Sequence, residues 1–89
     1  MGKLDNKIAL VTGGTGGIGT AICQRLANDG AQIVTTSLNQ EKAKTWKSSQ
    51  NFDSTIIACD VSSYDDCQSM KEQIEKDLGV VDIVVNNAG

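Results

Sequence analysis

Histidine and proline are absent from this chain of 89 residues, which holds one tryptophan, one tyrosine and one phenylalanine. Without histidine, metal ligation falls to thiols and carboxylates. Cys23, Cys59 and Cys67 are an odd set without metal-ligand spacing. No metal site and no disulfide scaffold is expected; three reduced thiols in a cytoplasmic protein are. With no proline and no long linker, no second domain shows. Positive charge is scarce: 8 Lys and Arg stand against 11 Asp and Glu, a net charge of −3. No basic patch is present, so a nucleic-acid partner is not expected. No apolar run is long enough to span a membrane. Met1 to Lys7 leads into no apolar signal region, and Asn6 stands where a myristoylation signal needs Ser or Thr.

Glycine is plentiful, and it is concentrated. Thr12-Gly13-Gly14-Thr15-Gly16-Gly17-Ile18-Gly19 follows the apolar run Ile8-Ala9-Leu10-Val11 and precedes a helix-like segment, Ala21 to Asp29. Strand, glycine turn and helix form the context a dinucleotide fingerprint requires. Gly13 would let the chain turn out of the strand. Gly17 would let backbone approach a pyrophosphate, and Gly19 would let helix and strand pack closely. The first N–H groups of the helix, at Gly17, Ile18 and Gly19, have no intrahelical partner, and an anion fits over them. A merely flexible turn explains poorly why five glycines sit between a buried strand and a helix.

The rest of the chain alternates. Lys7 to Thr12 predicts a strand covered on both faces. Ile18, Ile22 and Leu26 mark an apolar helical stripe, which Gly30 ends. Ala31 to Thr36 predicts a second strand, and Asn39 to Gln50 a polar helix. Trp46 would pin that helix to the sheet, or less simply serve as a ligand platform. Thr55 to Cys59 predicts a third strand, ending in Asp60-Val61. Ser62 and Asp65 suggest a capping box for a third helix. Cys67, Met70, Ile74 and Leu78 share one face of it, Glu72 and Lys76 are placed to pair, and Gly79 closes it. Val80 to Val85 predicts a fourth strand, leading into Asn86-Asn87-Ala88-Gly89.

The order βαβαβαβ with right-handed crossovers gives an α/β fold: a Rossmann-type, doubly wound parallel sheet with strand order 3-2-1-4. A natural domain rarely stops at an open edge strand. Residues 1–89 are therefore expected to be the N-terminal part of a single dinucleotide-binding domain.

The second strand ends Val34-Thr35-Thr36-Ser37-Leu38-Asn39, with no carboxylate where NAD-binding versions place one. An acid at Ser37 would repel a 2′-phosphate. Ser37 and Asn39 offer hydrogen bonds, and Lys42 offers charge unless it is simply a solvated helix residue. NADP is the expected cofactor, although no arginine is placed to clamp the phosphate. Asp60 and Val61 would flank the adenine; Asp60 also reads as a turn or cap residue. Thr15 and Gly16 complete the expected cofactor loop.

These residues resemble the short-chain dehydrogenase/reductase family, whose pattern Thr-Gly-x-x-x-Gly-x-Gly matches Thr12, Gly13, Gly17 and Gly19. The family's Asp-Val pair matches Asp60-Val61, and its Asn-Asn-Ala-Gly motif matches Asn86 to Gly89. The resemblance covers the whole chain. It implies that Asn87, Ala88 and Gly89 shape the wall near the cofactor ribose. By chemistry alone, Asn86 and Asn87 are equally turn-forming side chains. Gly13 to Gly30 is similar to the acetoacetyl-CoA reductases of polyhydroxybutyrate synthesis, which form (R)-3-hydroxybutyryl-CoA with NADPH. Gly16 agrees with that type, where many relatives carry an arginine.

The resemblance implies hydride transfer to a ketone carbon, with a serine, a tyrosine, a lysine and a helix asparagine as catalytic groups. All would lie after Gly89. Tyr64 lacks the Tyr-x-x-x-Lys pattern, so no catalytic residue is expected here. The implied whole is a homotetrameric reductase of an acyl-thioester substrate. The alternatives are 3-oxoacyl-[acyl-carrier-protein] reductase, another short-chain reductase, or a non-catalytic NADP-binding sensor.

Overall fold

The computed structural model describes residues 2–87. Four parallel strands, β1 (Ile8–Thr12), β2 (Gln32–Thr36), β3 (Ser54–Ile57) and β4 (Ile83–Asn86), alternate with helices α1 (Gly17–Asn28), α2 (Gln40–Ser49) and α3 (Tyr64–Asp77). The sheet order is β3-β2-β1-β4, the doubly wound arrangement expected from the sequence. β1 is central and buried at every position.

Period-two alternation divides the apolar residues between two layers. Ala9, Val11, Ile33, Ile56, Ile83 and Val85 point to the face covered by α1 and α2. There they meet Cys23 of α1 and Trp46 of α2, and Trp46 stands edge-on to Phe52 at 5.9 Å. Ile8, Leu10, Val34 and Ile57 point to the opposite face, against Met70 and Ile74 of α3. Cys67 and Leu78 pack beside them, so the predicted stripe of α3 is the buried one. Burying such side chains stabilises by roughly 1.5–3 kcal/mol each. Beyond α3 this second face is thinly covered: a groove of about 480 Å³ lies between α3 and β4, and Val84 is 65% exposed.

Helix ends follow local chemistry, with small departures from the predicted bounds. α1 ends in a Schellman motif: Gly30 N–H donates to Ala27 O at 3.0 Å and Ala31 N–H to Leu26 O at 3.1 Å. This requires a positive φ at Gly30, observed at 98°. α2 is capped by Asn39, whose Oδ1 accepts from Lys42 N–H at 3.0 Å. α3 is capped by Ser63, not Ser62, with Asp66 N–H donating to Ser63 Oγ at 3.2 Å. Ser62 is instead taken up by Asp60, so the cap falls one residue later. Glu72 accepts from Gln68 Nε2 at 3.5 Å and forms no ion pair with Lys76. Val80 to Asp82 precede β4 rather than belong to it. The turn there is fixed by a reciprocal pair: Ile8 N–H donates to Asp82 Oδ2 and Asp82 N–H to Ile8 O, both at 2.9 Å.

Candidate dinucleotide site

The carboxyl ends of the strands converge on the glycine loop, and each neighbouring strand holds it by a side chain. Gly13 turns out of β1 with φ of 64°, a conformation that costs glycine little. From β2, Thr36 Oγ1 accepts from Gly13 N–H at 3.2 Å. Thr35 Oγ1 accepts from Gly14 N–H at 2.8 Å and donates to Val11 O at 2.7 Å. From the β4 side, Asn87 N–H donates to Thr12 Oγ1 at 3.0 Å, and Asn87 Nδ2 donates to Gly13 O at 3.2 Å. The second asparagine of the Asn-Asn pair is therefore a brace for the loop. Ala88 and Gly89 lie outside the described residues.

The glycines differ in what they permit. A Cβ on Gly19 would lie 2.6 Å from Gly13 O and 2.7 Å from Gly14 Cα, which is the close packing expected of the fingerprint's last glycine. A Cβ on Gly14 would strike Thr35 Oγ1 and come within 2.9 Å of Cys23 Sγ. Around Gly17 a Cβ would meet nothing within 4 Å. Among the described residues, that glycine faces open space and no packing demands it.

The amino end of α1 is left bare. Its N-cap is Gly16, with no side-chain cap, and its first turn holds no acidic residue. The other two helices are the opposite: Asn39 caps α2 with Glu41 in its first turn, and Ser63 caps α3 with Asp65 and Asp66. A helix start carries about half a positive charge on its unpaired N–H groups. In α2 and α3 the chain itself answers that charge. In α1 the N–H groups of Gly17, Ile18 and Gly19 remain for an external anion.

Beside this helix start lies a cleft of about 280 Å³, lined by Gly13, Thr15, Ser37, Leu38, Asp60 and Val61. Thr36 and Cys59 complete its lining. Neither residue, nor Leu38, stands out in the sequence as a site residue. The period of β2, which turns Val34 and Thr36 to one face, is the signal that reaches Thr36. The Ser37 hydroxyl is turned into its own loop, donating to Asn39 O and accepting from Asn39 N–H, both at 3.2 Å. Asn39 stands outside the cleft lining as the cap of α2. Asp60 Oδ1 accepts from Ser62 Oγ at 2.6 Å and from Ser62 N–H at 3.0 Å. The Ser62 side chain, then its backbone, holds the carboxyl below the usual carboxylate range. Asp60 is thus both a turn residue and an anionic wall of the cleft. Tyr64, 79% exposed at the start of α3, is not among the residues lining the cleft.

The family model for short chain dehydrogenases matches residues 7–89. The chain belongs to that family. This short-chain dehydrogenase sequence is 49% identical to nodulation protein G of Azospirillum brasilense, over 97% of this chain and 37% of that protein. It is 47% identical to acetoacetyl-CoA reductase of Allochromatium vinosum, over 93% of this chain and 36% of the reductase. The crystal structure of 2-keto-3-deoxy-D-gluconate dehydrogenase from Streptococcus agalactiae superposes with a TM-score of 0.91 at 38% identity, covering 97% of this chain and 34% of that one. The chain spans about a third of the length of these relatives.

Within the family frame, the described residues of the loop fit a dinucleotide. The loop is braced by both neighbouring strands, the helix start is uncapped, and the position where backbone must approach an anion is sterically open. Among the described residues, no helix is long and apolar enough to cross a membrane.

Proposed function

We propose that this chain is the cofactor-binding part of an NADPH-dependent short-chain reductase whose substrate is a 3-oxoacyl thioester. Acetoacetyl-CoA reduced to (R)-3-hydroxybutyryl-CoA is the substrate and product it favours. The observation that carries the cofactor reading is the bare start of α1, next to a cleft that Gly13 and Thr15 of the same loop line. The substrate reading rests on likeness to acetoacetyl-CoA reductases, at 47% and 39% identity in two bacteria.

The nicotinamide cofactor, when bound, supplies the hydride. The chain's own residues bind and orient it. The N–H groups of Gly17, Ile18 and Gly19 would hold its pyrophosphate. Thr15 and Gly16 border it, and Asp60 and Val61 flank the adenine. Asn87 holds the loop's first carbonyl. Preference for NADP is supported by β2 ending in Thr36-Ser37-Leu38-Asn39, with no carboxylate to repel a 2′-phosphate. Lys42, exposed in the first turn of α2, would supply positive charge to that phosphate. On this reading the chain is the first part of one dinucleotide-binding domain, in a cytoplasmic homotetramer. Its three unpaired thiols suit a reducing compartment.

The test is a steady-state assay of the native gene product that carries this chain, with acetoacetyl-CoA and either NADPH or NADH. Oxidation of NADPH with a kcat/KM at least tenfold above that for NADH supports the reading. Turnover of a sugar acid or a steroid, with none of acetoacetyl-CoA, would replace the substrate and keep the cofactor site. No reduction of any carbonyl substrate, with NADPH still bound, would indicate a nucleotide sensor.

A further inference from the structure

The Trp46 indole reaches out of α2 into the start of α1. Its Nε1–H donates to Thr20 Oγ1 at 2.8 Å. Thr20 Oγ1 lies 2.6 Å from the carbonyl oxygen of Gly16, and the backbone N–H of Thr20 donates to that same oxygen at 2.7 Å. An indole nitrogen only donates, and a hydroxyl has a single proton. Trp46 therefore occupies a lone pair of Thr20, and of the two carbonyls the Thr20 proton can reach, Gly16 O at 2.6 Å and Gly14 O at 3.4 Å, the nearer one takes it.

Gly16 C=O and Gly17 N–H belong to one planar peptide. The carbonyl is drawn along the helix axis, so the N–H points the opposite way, out of the helix start and toward the anion position. Among the described residues, side-chain packing adds little beside this peptide. A Cβ on Gly17 would meet nothing within 4 Å, and one on Gly16 only Gly13 O at 3.7 Å. Both glycines are exposed. Hydrogen bonds from Thr20, oriented by Trp46, are what fix the donor.

We infer that Trp46, acting through Thr20, is a positioning residue for the pyrophosphate-binding loop. This rests on the dinucleotide reading above. Trp46 itself is buried against Phe52 and the sheet, and it is not part of the cleft lining. Its effect on the ligand is indirect: it sets the direction of one backbone N–H.

The test compares Thr20→Val, Thr20→Ser, Trp46→Phe and the Thr20→Val/Trp46→Phe double variant of the native gene product. The probe is ADP-ribose, which carries the pyrophosphate without the nicotinamide, titrated by calorimetry well below each variant's Tm. Thr20→Val and Trp46→Phe are expected to weaken binding about fivefold each, the scale of one hydrogen bond. The double variant should be no weaker than the worse single, because both break the same relay. Thr20→Ser keeps the hydroxyl and should bind like the wild type. In turnover, the KM for the dinucleotide should rise while kcat holds. Wild-type affinity in Thr20→Val and Trp46→Phe, with only a lowered Tm, would overturn the inference and leave Trp46 a packing residue. Absence of ADP-ribose binding by the wild type would overturn the dinucleotide reading itself, and this inference with it.

Discussion

The hydroxyl of Thr35 accepts from Gly14 N–H at 2.8 Å and leaves no room for a side chain at that glycine. Thr35 is fully buried. The same oxygen donates to Val11 O, so one threonine of β2 ties the end of β1 to the loop. Thr35→Val is expected to cost roughly 1–3 kcal/mol, because it strands a buried N–H. Gly14→Ala should cost a similar roughly 1–3 kcal/mol by overpacking against Thr35 and Cys23. Urea denaturation of the native gene product checks both. A loss below about 0.5 kcal/mol in either variant would contradict this account.

The thiols are predicted to differ in reactivity. Burial raises Cys23 and Cys59 from 9.0 to about 11, so almost no thiolate forms at either near neutral pH. Cys67 is only half-buried. Iodoacetamide at pH 8 should label Cys67 first, with Cys23 and Cys59 protected until the protein unfolds. Peptide mass mapping over time reads this directly; early labelling of Cys23 would contradict it. Thiols in the unfolded chain ionise first, so stability should fall as pH rises from about 9 toward about 11.

Asp82 is predicted to matter for the register of β4. Its carboxylate accepts the Ile8 N–H, and its own N–H reaches Ile8 O. Asp82→Ala should destabilise by roughly 1–2 kcal/mol, while Asp82→Asn, which keeps an acceptor, should cost less. Chemical denaturation of the two variants side by side tests the ordering. Equal losses would mean that the side-chain acceptor contributes nothing.

A buried hydroxyl offers the opposite sign. Ser54 Oγ, on β3, is enclosed and has no hydrogen-bond partner among the described residues. Ser54→Ala is expected to leave stability unchanged or raise it by roughly 1 kcal/mol. A clear loss of stability in thermal unfolding would show that the hydroxyl has a partner after all.

The fold was readable because strand and helix periods do not overlap. Ile8 to Val11, Ile33-Val34 and Ile56-Ile57 are short β-branched or apolar runs. Ile22 and Leu26, and Met70 and Ile74, recur at helical spacing. The glycine loop was readable because its spacing reflects steric needs, seen at Gly13 and Gly19. Element ends were less so. Ser62 and Ser63 are adjacent caps of equal quality in one dimension, and only the claim of Asp60 on Ser62 decides between them. The braces were hidden for a similar reason. Thr35, Thr36, Thr20 and Trp46 reach the loop across 21 to 26 residues or through a turn of helix, and nothing in their local sequence marks that contact.

The most direct test of the pyrophosphate site is Gly17→Asp, assayed for ADP-ribose binding and for Tm. A Cβ there meets nothing within 4 Å among the described residues, and a carboxylate in the first turn suits the helix dipole. It would also stand about 4 Å from the expected phosphate, a repulsion of about 4 kcal/mol at an effective dielectric of ~20. The expected result is an unchanged or higher Tm together with a loss of affinity of at least about a hundredfold. Unchanged ADP-ribose affinity in a folded Gly17→Asp protein would contradict it and would move the anion away from the start of α1.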